Sequence, residues 1–94
     1  MINFHFIGWN NEGSHDKIWT SFSDESGNYY IGWGRRGSKL QFKRESSRPY
    51  TTERSKKNRG YSEVDSFVLF TLFPAFEETV AELLFVRSLD GSLR

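Results

Sequence analysis

Tyr29-Tyr30-Ile31-Gly32-Trp33-Gly34-Arg35-Arg36-Gly37-Ser38-Lys39-Leu40-Gln41-Phe42-Lys43 is the stretch whose reading decides the fold. Asn28 to Trp33 is rich in aromatic and β-branched residues and reads as a strand. Arg35-Arg36-Gly37-Ser38 turns the chain. Lys39 to Arg44 then alternates, with Leu40 and Phe42 on one face and Lys39, Gln41 and Lys43 on the other. The product is an antiparallel hairpin with a cationic tip.

The flanks extend the same pattern towards the N-terminus. Between Asn3 and Ile7, Phe4 and Phe6 are expected on one face, Asn3 and His5 on the other. Gly8 to His15 is turn-rich. Asp16 to Ser23 alternates again, setting Ile18, Thr20 and Phe22 against Lys17, Trp19 and Ser21. Ser26-Gly27-Asn28 makes a tight turn into the strand already described.

After Glu45 the character changes. Residues 46–59 are polar and basic, Pro49 restricts their start, and a helix from about Thr51 to Arg59 is expected to stop at Gly60. From Val64 to Val86 the chain is dense in Phe, Leu and Val, so most of it must be buried. Residues 65–73 fit helix or strand. Pro74 suits a helical first turn, Glu77 and Glu78 complement the positive end, and Phe76, Val80, Leu83 and Leu84 recur at helical spacing. A helix over 75–88, ended by Asp90-Gly91, follows. The expected fold is α+β: an antiparallel β-sheet meander of four or five strands, a helix packed on it, and a C-terminal helix. Residues 1–65 form the main unit, and 66–94 an apolar extension on the same core.

Burial in 94 residues must come from few, large side chains, and 9 Phe, 4 Tyr and 3 Trp supply them. With no cysteine, disulfides and Cys-ligated zinc are excluded. No apolar run approaches the ~20 residues of a membrane span. Met1 to Trp9 lacks the basic start of a signal peptide, so a cytoplasmic protein is expected.

Charge is divided sharply. Arg35 to Arg59 holds ten of the thirteen bases against only Glu45 and Glu53, a formal +8, while the remainder is −7. Such a block suits a polyanion.

Gly32-Trp33-Gly34-Arg35-Arg36-Gly37 satisfies GxGxxG to the letter. The dinucleotide fingerprint needs a helix after the glycines, and here a strand follows. A kinase glycine loop lies between strands, but these 94 residues cannot hold a kinase. Two readings of the tip remain open. Its glycines and exposed amides could let a phosphate approach, with Arg35 and Arg36 as forked donors, or they could merely satisfy turn geometry.

Trp33 likewise has two readings. It shares period two with Tyr29 and Ile31, as a core face would, or it stacks on a sugar or base. His5 and His15 have no third ligand at a recognisable spacing, so neither metal nor cofactor is expected. Asp24-Glu25 and Glu77-Glu78 are adjacent acids that do not converge on one reacting atom. No enzyme is expected.

Trp33-Gly34-Arg35-Arg36-Gly37, after a Tyr-rich strand and before Lys39-Leu40-Gln41-Phe42-Lys43, resembles the signature of the WGR domain. Lys56-Lys57-Asn58-Arg59-Gly60-Tyr61 is similar to that family's ending, and the Phe4/Phe6 and Lys17-Ile18-Trp19 strands fall where the family has them. The resemblance covers roughly the first 65 residues, and 66–94 have no clear counterpart. WGR domains occur in DNA-damage-responsive poly(ADP-ribose) polymerases and in small or composite bacterial proteins. The resemblance implies an antiparallel sheet crossed by a helix, and DNA binding, often near a strand break. It assigns Trp33 to the sugar of a terminal nucleotide, and Arg35 to DNA and inter-domain contacts. Together with the basic block it nominates Trp33, Gly34, Arg35, Arg36, Lys39, Lys43, Arg44, Arg54, Lys56, Lys57 and Arg59 as nucleic-acid-binding residues, with DNA preferred to RNA. The rival is a protein-interaction or oligomerisation module, its opposite charges pairing between molecules.

Overall fold

The computed structural model describes residues 2–76 together with Glu78 and Ala81. Four strands follow one another as an antiparallel meander: β1 (Asn3–Asn10), β2 (Lys17–Ser23), β3 (Tyr29–Arg35) and β4 (Gln41–Glu45). The helix α1 (Tyr50–Asn58) comes next, then the two-residue β5 (Ser62–Glu63) and α2 (Ser66–Leu72). In space the order is β4-β3-β2-β1-β5. The α+β class and the meander are as the alternation predicts. The two helices take opposite faces of the sheet.

Turn chemistry fixes the hairpins. At the β2–β3 corner the Asp24 carboxylate accepts from the amides of Ser26 and Asn28, the Asn28 side chain and the Tyr30 hydroxyl. Burial alone would raise its pKa, but these donors outweigh that effect and hold Asp24 below the ordinary carboxylate value. At the β3–β4 corner Gly37 takes φ +84°, a left-handed conformation that suits glycine.

One face of the sheet carries the deep core. Ile7, Ile18, Phe22, Tyr30 and Leu40 pack with Leu69, Phe73 and Phe76, so α2 and the residues after it share the meander's core. The rings of Phe4, Phe22, Phe42, Phe70 and Phe76 form a network with centroids about 6 Å apart. Asp65 starts α2 by accepting from the Val68 amide at 2.9 Å. That cap resolves the segment that sequence leaves open between helix and strand.

The helix expected over 75–88 is met by helical Ala75, Phe76, Glu78 and Ala81. Glu77, Val80, Leu83, Leu84 and the Asp90-Gly91 stop lie outside the described residues.

Two expectations about faces change. The pairing of β1 with β2 slips between Phe4 and Phe6, so the extra residue of a bulge sits there. Phe4 therefore joins the deep core, while Phe6 packs with Trp19 and Tyr61 on the other face. His5 shares Phe6's face, its ring nitrogen 2.9 Å from Ser23 Oγ.

In β3 the core face belongs to Tyr30, Gly32 and Gly34, and Tyr29, Ile31 and Trp33 point towards α1's side. A Cβ on Gly32 would come within 2.7 Å of the Phe42 ring, and one on Gly34 within 2.7 Å of the Leu40 side chain. The glycines admit neighbouring side chains to the core. With no side chain of their own, they hide that face from a hydrophobic pattern.

Candidate nucleic-acid interface

α1 has few apolar residues, and a polar link holds it to the sheet. Glu53 is 8% exposed, and its Oε2 accepts from Ser21 Oγ at 2.7 Å. Arg48 donates to both Glu53 oxygens, at 3.1 and 3.0 Å, and stacks on Tyr50. The Glu53 carboxylate raises the Arg48 pKa further. One turn later Lys56 Nζ lies 5.9 Å from the Trp19 ring centroid and 5.3 Å from that of Tyr61. α1 thus covers β1 and β2. Among the described residues nothing covers the same face of β4, where Gln41 and Lys43 are exposed.

Strand register orders this face into rows. Gly8, Trp19, Trp33 and Gln41 form one. Asn10, Lys17 and Arg35 form the next towards the loop ends. Phe6, Ser21, Ile31 and Lys43 form the row on the other side. Gly8 leaves room for the Phe6 ring and Tyr61, since a Cβ there would lie 2.6 Å from the ring. Trp33 rests against the buried Phe6–Trp19–Tyr61 cluster while remaining partly exposed. It is both an anchor and an accessible aromatic.

Positive charge gathers at the edge of this platform. Burial lowers the Lys56 pKa, and the neighbouring charges of Lys17 and Arg59 lower it further. None of the three makes an ion pair among the described residues. The Glu12 carboxylate is nearby, 3.8 Å from where a Cβ on Gly60 would stand. Lys17 was missed by sequence because it falls outside the basic block. Its place opposite Ile18 in an alternating strand, beside Trp19, was the available signal.

The nominated residues divide by position. Trp33, Arg35, Lys43, Lys56 and Arg59 lie on or beside the α1 face. Arg35 nevertheless spends a guanidinium donor on the Ser14 carbonyl at 2.6 Å. Arg36 pairs with Asp16 at 2.8 Å, and Asp16 also accepts from the Trp9 indole at 3.0 Å. Both arginines therefore tie the β1–β2 loop to the β3–β4 turn. Gly34 turns its core-side face to the Leu40 side chain.

The remaining nominated residues lie elsewhere. Lys39 precedes β4, so the expected row of Lys39, Gln41 and Lys43 keeps only its last two members. Arg44 is paired in register with Tyr30, on the core face, and donates to Asn28 at 2.7 Å. Arg54 and Lys57 line a depression of about 260 Å³ towards β5, with Lys57 3.4 Å from Glu63.

No three His, Asp or Glu side chains gather into a metal site among the described residues. None of the described helices is long and apolar enough to cross a membrane. Comparison with family models, curated proteins and solved structures gave no match.

Proposed function

We propose that this chain is a non-catalytic nucleic-acid-binding module of WGR type that engages DNA through the α1 face of its sheet. The observation that carries the reading is partly exposed Trp33 in a row with Trp19 and Gln41, with Lys17, Arg35, Lys43, Lys56 and Arg59 about it. An aromatic supplies stacking, and surrounding cations release counterions from phosphates. The crowding of Lys17, Lys56 and Arg59 favours an anionic ligand, because an anion relieves like-charge repulsion that no ion pair among the described residues offsets.

Fluorescent duplexes with open 5′-phosphorylated ends or hairpin-closed ends, titrated at several salt concentrations, test this reading. Log affinity should fall with log salt at a slope near −0.9 per phosphate neutralised on duplex DNA. The double variant K43A/K56A should flatten the slope by about 2 if each lysine meets a phosphate. Absence of binding at low salt would return the charged face to a protein partner.

A further inference from the structure

Resting on that nucleic-acid reading, we infer that the ligand of the β3–β4 surface, which no described residue covers, is single-stranded, lying across the sheet with a base stacked on Trp33. The ground is the shape of the surface as well as its charge. α1 is held over β1 and β2 by the Ser21–Glu53 hydrogen bond and by Lys56 above Trp19. On the same face of β3 and β4, Trp33, Ile31, Gln41 and Lys43 form a floor.

A base freed from its stack offers a π face to Trp33, and its polar edge meets Gln41, the next side chain in the same row. The Gln41 amide both donates and accepts, so it satisfies a base edge that a duplex would keep paired. Lys43 lies one row away on the floor, and Lys56 stands over Trp19, the neighbour of Trp33 in its row, so a backbone on either side of the base meets a cation.

The WGR arginines strengthen the distinction. Arg36 is paired with the Asp16 carboxylate and Arg35 gives one donor to the Ser14 carbonyl, while Lys17, Lys43, Lys56 and Arg59 pair with no acid among the described residues and can meet a backbone. A flexible single strand can place its phosphates at cations on both sides of one ring. A duplex keeps its bases stacked and offers an indole a flat face only at its ends.

The test compares an oligothymidylate with a hairpin-closed duplex of equal phosphate count, using the full chain as wild type, W33A, W33F and K43A. Each variant is first checked for native circular dichroism. The single strand should bind tighter. W33A should weaken it by roughly 5- to 150-fold, the loss of one base stack, with little effect on the duplex. W33F should retain much of the single-strand affinity. K43A, at an exposed position, should reduce the single-strand salt slope by about 0.7.

Duplex binding equal to or tighter than single-strand binding, lowered alike by W33A, would overturn the single-strand inference and leave nucleic-acid binding intact. Binding of neither ligand would overturn both.

Discussion

Gly32 and Gly34 bracket Trp33, and their work lies on the opposite side of the sheet from the indole. Each marks a place where a core side chain crosses the strand, Phe42 over Gly32 and Leu40 over Gly34. Gly32→Ala would drive a methyl group into a ring held by Phe22 and Phe76, costing about 1–3 kcal/mol by overpacking. Chemical denaturation should show that loss. Binding measured well below the shifted midpoint should be preserved, because the methyl faces away from the platform. A variant equally stable would mean that Phe42 has space the structure does not show.

The same glycines explain what the sequence concealed. Gly32-Trp33-Gly34 reads as a possible phosphate cradle, and only packing reveals that two of its members serve the core. Trp33 could be assigned to its strand from alternation, but not to its face. With Gly on both sides, Tyr29, Ile31 and Trp33 were the only large side chains a periodicity could follow, so they looked like the core.

Among the elements, α1 is the least conventional. Its few apolar residues leave a buried carboxylate to hold it, and Glu53 satisfies itself with Ser21 from β2 and Arg48 from the preceding loop. Glu53→Ala should cost about 2–3 kcal/mol, from the lost charged hydrogen bonds and the stranded guanidinium. Arg48 is partly exposed, at 28% for its side chain, which keeps the figure below that of a fully buried pair. Hydrogen exchange should show α1 amides opening sooner than those of β2. Unchanged protection would mean that Lys56 on its two rings suffices to dock the helix.

Sequence located α1 through Pro49, the polar and basic run that follows it and Gly60, all of them local signals. It could not identify Glu53 as buried, because its partner Ser21 lies 32 residues away. The bulge at His5 escaped for a related reason. One extra residue reverses the face of everything beyond it, and Asn3 to Ile7 alternates plausibly either way. Residues 65–73 fit helix or strand by sequence, and the Asp65 carboxylate, accepting from the Val68 amide, sets them as helix.

At the scale of the molecule, the sheet separates two surfaces of different character. α2 and the Phe-rich core close one face. The other combines a short polar helix, an aromatic platform and cations that pair with no acid among the described residues. The charge division visible in the sequence therefore maps only partly onto a surface. Arg36, Arg48 and Lys57 pair with acids, Arg44 turns to the core face, and Lys17 joins from outside the block.

The three tryptophans fall at separate places in this arrangement. Trp9 bonds Asp16 at the loop ends, Trp19 is buried beneath Lys56, and Trp33 lies on the platform. Their indole N–H resonances in a ¹⁵N-labelled sample, followed as nucleic acid is added at low salt, test the proposed face directly. The Trp33 indole should move most, accompanied by the amides of Gln41 and Lys43, with Trp9 little affected. Movement centred on Trp9, Arg44 or the Arg54–Lys57 depression, with Trp33 unmoved, would contradict the assignment of this face.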